Sequence, residues 1–458
     1  MKTKFTEMEN REIIVDFNQT LGEVSYHDHS FGIGGINTLP MPEKIIDGIK
    51  ALKPKLIRIF IQEFFFIYPE SGKFDWTKLD AYMDSVHAIG ADIMAHITIK
   101  PNCLYPVIDE NIWRPNNVEE WQSVVRALVH RYSVEKKYVT HWAMGNEINL
   151  GEEGGCPYKF TDPREFFEYY KITAEAISKA YPTAKIGGLA WAGGGPEAVD
   201  FMTQFIKLAI NDDIKPDFVS YNIYQDCPLF QASEAELFRP IVEELDIDLY
   251  ITELNVGLDF GVEEIAYTGA RAASLAATIL KLEDTKVLSG TFQYHIVDMH
   301  CDLDEFNSWY SIGRYMSKHW NDGPHRLGLF DWAGNPRPQY FMYQMLHQVC
   351  GERIAIDVGD SEFLHATAAR TTDGEINIFI SNFSADKAQD LITQISLKGN
   401  PIGLCDLTVC RVDDENRWDD ELNLQPIEQR TTYMAEDFQF PIYAPANSVT
   451  MIKLKRHQ

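Results

Sequence analysis

Two glutamates stand where chemistry is possible. Glu147, in "AMGNEINLG", follows the apolar run "YVTHWAM" and precedes a glycine-rich polar stretch, and Glu253 closes the run "LYITEL". An Asn-Glu dipeptide carries no assignment by itself; its meaning depends on the element that displays it. If both glutamates ended strands that face one another across a cleft, one could protonate a departing glycosidic oxygen while the other met the oxocarbenium-like carbon left behind. The fold must therefore bring together two residues that lie far apart in the chain.

The chain supplies such a frame. Short β-rich runs alternate with segments of helical period: "SFGIGGI" precedes "PEKIIDGIKALK", "LIRIF" precedes "WTKLDAYMDSVHAIG", and "DIMAHITI" precedes "VEEWQSVVRALVHRY". The alternation continues to "GTFQYHIV" and "QYFMYQMLHQV", giving eight β-then-α units. Asp162 before Pro163, with Glu165, and Ser233 with Glu236 are expected to satisfy the free amides of first helical turns. Such alternation implies parallel strands joined by right-handed crossovers, and eight units fit an α/β fold of the closed (β/α)8 TIM-barrel kind better than an open doubly wound sheet. "GIGGI" at 32–36 and "GGG" at 193–195 lack the spacing of a dinucleotide-binding turn.

From about residue 350 the texture changes to alternating runs such as "INIFISNFS" and "NSVTMIKLK", joined by turn-rich segments. These predict a smaller C-terminal β-sandwich, to which the opening "EIIVDF" is expected to add a strand. The expected division is a barrel over 22–349 and a sandwich made of 10–21 plus 350–458. Reactive groups of such a barrel gather at the C-terminal ends of its strands. Glu147 thereby falls at the end of the fourth strand and Glu253 at the end of the seventh.

Composition excludes several other functions. The chain has 458 residues, 45% of them hydrophobic, which is ample for a large core. Forty-one basic against 68 acidic side chains give a formal charge of −27, which repels phosphate backbones and anionic lipid headgroups, so neither nucleic acid nor membrane is expected as a partner. No run approaches the roughly 18 apolar residues of a membrane helix. "MKTKFTEMENREIIVDF" is interrupted by charge and makes no secretory signal, so a cytoplasmic location is expected. Seven cysteines without Cys-x-x-Cys spacing are read as reduced thiols. The thirteen histidines show no His-x-x-x-His or His-Glu-x-x-His pattern, and neither metal nor other cofactor is expected; "HDH" at 27–29 is too short a cluster to change that. "GLDFG" at 257–261 has no kinase companions and is coincidental.

The segments "THWAMGNEIN", "LYITELNVG", "LIRIF", "DFVSYNIY" and "GLFDWAGNPRPQYFMYQML" resemble the retaining glycosidases of clan A, and most of all glycoside hydrolase family 39. The resemblance spans residues from about 10 to the end, and it implies a barrel with a sandwich attached. It implies that Glu147 is the acid/base and Glu253 the nucleophile, that Asn146 holds the sugar's 2-hydroxyl, that Arg58 orients the nucleophile, and that Tyr224 contacts the same carboxylate. An arginine there would pair with Glu253, while burial near a second carboxylate would keep Glu147 protonated. The implied reaction is exo-acting, retaining cleavage of a β-linked oligosaccharide or glycoside, most plainly a β-xyloside. A β-glucoside, β-galactoside or arabinoside remains open, as does a barrel that binds carbohydrate without cleaving it. A homo-oligomer is compatible with these readings.

Two positions depart from the family pattern. The sixth strand often ends His-x-Tyr and here reads Asn222-Ile223-Tyr224; the eighth often presents a tryptophan, where this chain has His295. Both match positions that line the sugar site, so Asn222 and His295 are substrate-binding candidates and the sugar stays undetermined. His96, on the third strand, is either a further sugar contact or a core histidine bonded to backbone. Trp309, Trp320 and Trp332 follow the eighth strand, where an indole could stack on a sugar or simply pack the loop. Retaining enzymes hold their two carboxyl groups about 5 to 5.5 Å apart, the separation expected here.

Overall fold

Eight strands of the chain read as near-continuous apolar runs, and they are buried along almost their whole length. In the computed structural model these are β2 (His29–Gly32), β3 (Leu56–Gln62), β4 (Asp92–Thr98), β5 (Val139–Met144), β6 (Lys185–Ala192), β7 (Phe218–Tyr224), β8 (Asp248–Asn255) and β9 (Gly290–Tyr294). They pair in chain order, all parallel, and β2 pairs with β9 to close the barrel. A parallel sheet is covered on its outer face by the crossover helices, which explains why these strands lack the polar alternation of half-exposed ones. The structure describes residues 9–33, 38–257, 267–298, 326–385, 388–416 and 422–457.

Among the described residues the α-helices are α1 (Glu43–Ala51), α2 (Thr77–His87), α3 (Val118–Val129), α4 (Pro163–Ala180), α5 (Pro196–Asn211), α6 (Pro228–Leu237), α7 (Arg239–Leu245), α8 (Gly269–Thr285) and α9 (Pro338–Leu346). Asp162 caps α4 as expected, accepting the Arg164 amide with Pro163 in the first turn. The cap expected at Ser233 is not there. The helix starts earlier, at Pro228, so Ser233 is interior and its hydroxyl donates to the Phe230 carbonyl at 2.8 Å. The run then breaks between α6 and α7, where Pro240 cannot donate to the preceding turn. Helix α8 is apolar on almost every side, because it lies between the barrel and the second sheet: the Ser381 hydroxyl of that sheet donates to its Ala273 carbonyl at 2.7 Å.

That second sheet contains β1 (Glu9–Val24), β10 (Gly351–Asp357), β11 (Leu364–Arg370), β12 (Ile376–Asn382), β13 (Leu391–Lys398), β14 (Gly403–Val412), β15 (Pro426–Met434), β16 (Phe438–Ala444) and β17 (Ser448–Arg456). The nine are hydrogen-bonded in one run, β15-β14-β17-β12-β11-β10-β1-β13-β16. Residues from both ends of the run, Leu407 and Val409 at one and Phe440 and Ile442 at the other, share a core with Ile13, Ile378 and Ile452. The sheet therefore folds over on itself as a sandwich does. Its pairing is antiparallel except between β1 and β13, which run parallel from Glu9 opposite Leu391 to Asp16 opposite Lys398.

Candidate active site

The turn after β5 delivers Asn146 and Glu147. Gly145 (φ 76°) and Glu147 (φ 43°) both adopt left-handed backbone, which for a non-glycine residue is strained, on the order of 1–3 kcal/mol. The Glu147 amide donates to the Ala190 carbonyl of β6 at 2.7 Å, so the turn is tied to the neighbouring strand. Glu253 comes from β8. The β7–β8 register skips a residue between the pairs Tyr221–Ile251 and Asn222–Glu253, and this bulge sets Glu253 opposite Asn222.

A cleft of about 560 Å³ opens at this end of the barrel, and Asn146, Glu147, Asn222, Tyr224, Glu253 and Tyr294 all line it. Beneath it, Arg58 of β3 has no exposed surface; it donates to Glu253 Oε1 at 2.6 Å through Nη1 and to Asn146 Oδ1 at 2.6 Å through Nη2. Its guanidinium stacks 4.0 Å from the centre of the Phe60 ring. The Tyr224 hydroxyl donates to the other oxygen of Glu253. Burial, followed by the Glu253 charge, drives the Tyr224 phenol well above its ordinary value, so it remains a donor. Both oxygens of Glu253 are thus held.

Glu147 lies in a different environment. It is partly buried, and its carboxyl accepts from Asn222 Nδ2 at 3.1 Å. Burial, then repulsion from Glu253, pushes its carboxyl up to about 8. The Asn222 amide lies between the two halves of the Asn-Glu pair, since the same nitrogen is 3.3 Å from Asn146 Oδ1, while its own oxygen accepts from Thr252 at 2.8 Å. A carboxyl kept protonated beside a carboxylate pinned by an arginine is an arrangement able to donate a proton and attack within one cleft.

The two histidine candidates do not reach the cleft surface. His96 is fully buried, with Nδ1 2.9 Å from the Gly145 carbonyl, just before Asn146; burial and then Arg58 hold its imidazole well below the ordinary value. It supports the backbone of the turn from below. His295 also has no exposed surface, and Tyr294 is the residue of that strand that faces the cleft. The alternation of β9 carried this signal: Phe292 points into the barrel with Met94, Ala143, Phe218 and Tyr250, so Tyr294, two residues on, points the same way. Asn255, another residue that the sequence did not single out, donates to the Tyr294 carbonyl at 2.6 Å. Trp309 and Trp320 lie outside the described residues, and Trp332 is half exposed with Arg326 over its ring. Among the described residues no group of three or more His, Cys, Asp or Glu is placed to hold a metal, and no helix is long and apolar enough to cross a membrane. A second cavity, of about 470 Å³ between α9 and the sandwich, contains neither glutamate.

A closed parallel barrel with Asn-Glu after its fourth strand, a glutamate on its seventh and a buried arginine on its second is the architecture of clan A glycosidases. The family model described as Glycosyl hydrolases family 39 matches residues 55–425, and the chain belongs to that family. A beta-xylosidase of Caldicellulosiruptor saccharolyticus is 26% identical over 340 residues, which are 68% of this chain and 64% of that protein. An alpha-1,4-L-rhamnosidase of Formosa agariphila is 30% identical over 137 residues, 30% of this chain and 25% of its own. The chain thus spans less than two thirds of the length of these curated relatives. The crystal structure of a monomeric beta-xylosidase from Caulobacter crescentus CB15 shares the fold with a TM-score of 0.75 at 20% identity, covering 98% of this chain and all of that one.

Proposed function

We propose that the chain is a retaining glycoside hydrolase that releases single sugars from the non-reducing end of β-linked glycosides. Glu253 Oε attacks the anomeric carbon and the bond to the leaving oxygen breaks, while Glu147 passes its proton to that oxygen. Glu147, now a carboxylate, then takes a proton from water, whose oxygen replaces Glu253 on the anomeric carbon and frees the sugar with its original configuration. The observation that carries the reading is the contrast in environment between the two carboxyls: Glu147 is pushed up to about 8, and Glu253 is paired with Arg58 and Tyr224. In this reading Asn146 receives the 2-hydroxyl, Asn222 keeps the acid aligned, and Tyr294 forms one wall for the sugar.

Xylose is the sugar favoured, on the strength of the beta-xylosidases among the relatives. A second reading, another sugar on the same machinery, is favoured by the rhamnosidase relative and by Asn222 and His295 standing where the family pattern has other side chains. Nitrophenyl glycosides of xylose, arabinose, glucose, galactose and rhamnose separate the two: fastest turnover on the β-xyloside is expected, and none there with clear turnover elsewhere transfers the assignment to the other sugar. Full hydrolysis by Glu253→Ala would reject Glu253 as the nucleophile and with it this mechanism; a parent that turns over none of the glycosides yet binds them would leave a barrel that binds carbohydrate without cleaving it.

A further inference from the structure

Lys100 follows β4 and is only 8% exposed, although its partners are no carboxylate. Its Nζ donates to the Asp109 carbonyl at 2.6 Å and to the Pro157 carbonyl at 3.0 Å, between the rings of Tyr105 and Tyr158, whose centres lie 5.4 and 5.0 Å away. These carbonyls belong to the loops after β4 and β5. The backbone amide of Lys100 is itself anchored at 2.6 Å on Glu63, a buried carboxyl that burial pushes up to about 8. A buried ammonium without a counter-ion in contact costs stability relative to a neutral side chain, so stability alone gives no reason for a lysine here.

The loop held at Pro157 is the one that carries the acid. It leaves β5 at Gly145, presents Asn146 and Glu147, and returns through Gly154, whose carbonyl accepts from Asn146 Nδ2 at 2.9 Å. Gly154 is packed so closely that a Cβ there would lie 2.6 Å from Glu147 Oε2. Gln62 donates to the Gly155 carbonyl at 3.3 Å, and the Tyr158 hydroxyl to the Ile99 carbonyl at 2.7 Å. The return limb is therefore the wall against which the Glu147 carboxyl rests, and Lys100 is the charged tie that fixes that wall to the neighbouring loop. Lys100 is not among the charges that act on Glu147, so its influence is through geometry.

We propose that Lys100 is a positioning residue for proton donation, setting the direction of the Glu147 carboxyl by clamping the loops after β4 and β5 together. The inference rests on Glu147 being the acid. Its signature is dependence on the leaving group, because a dinitrophenolate departs without a proton and a phenolate does not.

The test compares kcat/KM for dinitrophenyl and phenyl glycosides of whichever sugar the parent turns over fastest, at about pH 6.5, where both Lys100 and the Glu147 carboxyl keep their protons. Lys100→Met is expected to lose on the order of 10- to 100-fold on the phenyl glycoside and to stay within about threefold on the dinitrophenyl one. Lys100→Arg, which keeps charge and two donors, is expected to recover most of the loss. Should the methionine variant not fold, Lys100→Gln carries the same comparison. Equal loss on both substrates, or loss on neither, overturns the proposal. Glu147→Gln, assayed alongside, keeps the two inferences apart. If it discriminates between leaving groups and Lys100→Met does not, only the clamp is wrong; if Glu147→Gln does not discriminate, the acid assignment itself fails and the clamp with it.

Discussion

Arg58 and Glu253 form an ion pair at 2.6 Å with side chains 0% and 5% exposed, and the other terminal nitrogen of the same guanidinium holds Asn146 at 2.6 Å. One arginine therefore fixes the nucleophile candidate and the residue beside the acid candidate at once. Arg58→Met leaves a buried carboxylate without its partner, which is expected to cost about 3–5 kcal/mol of stability. It should also lower kcat/KM by about 100-fold or more, since both groups lose their alignment. Denaturant unfolding and steady-state kinetics check the two effects; a variant as stable as the parent would show that the pair is not the anchor described.

Asn222 sets the pH range. Its amide donates to Glu147 and so favours the charged form of that carboxyl, opposing burial and the Glu253 charge. The group must be protonated to act as an acid, so activity is expected to fall as pH rises through about 8. Asn222→Ala removes the one bond that pulls this value down. The alkaline limb of kcat/KM should move upward while the plateau drops through lost alignment, and a downward shift would contradict the assignment.

Much of this site was legible because barrel addresses follow from alternation of elements. Glu147 and Glu253 could be placed at strand ends from the sequence, and Arg58 and Tyr224 are in contact with Glu253 as the resemblance implied. What escaped depended on side-chain direction within a strand or on contacts across loops. His295 was singled out by likeness to a pattern, although the parity set by Phe292 turns Tyr294 inward. The closeness of Gly154 to Glu147 arises from a loop closing on itself and leaves no trace in spacing. In the second sheet the strands not foreseen include both edges of the run. Strand β15 is exposed along most of its length and lacks an apolar face, and β16 carries Pro441, which an edge strand tolerates and a central one does not.

The raised Glu147 carboxyl also has a cost in stability that pH reveals. The unfolded chain ionises this group near 4.5 and the folded protein only at about 8, so the folded state loses stability as pH climbs between the two. Glu147→Gln removes the titration. The variant is expected to be inactive on poor leaving groups yet more stable than the parent by on the order of a few kcal/mol near pH 8, with the difference fading toward about pH 4. Thermal unfolding of both proteins across that range measures it, and a difference independent of pH would mean that the carboxyl is not held protonated by the fold.

Gly154 permits the Glu147 carboxyl to sit where it does. A methyl group there would lie 2.5 Å from the Glu147 Cβ and 2.6 Å from Oε2, closer than side chains approach one another, and Glu147 has little room to yield because its backbone is already left-handed and bonded to Ala190. Gly154→Ala must therefore either turn the carboxyl out of line with the leaving oxygen or move the loop that Lys100 holds at Pro157. Either displacement acts on the protonation step, and kcat on substrates with poor leaving groups should fall about tenfold or more while KM changes little. Because the glycine lies at the edge of the cleft rather than in the core, unfolding should change by no more than about 1 kcal/mol. A variant with unchanged kcat would mean that the loop gives way freely, and that the close packing between Gly154 and Glu147 has no part in directing the acid.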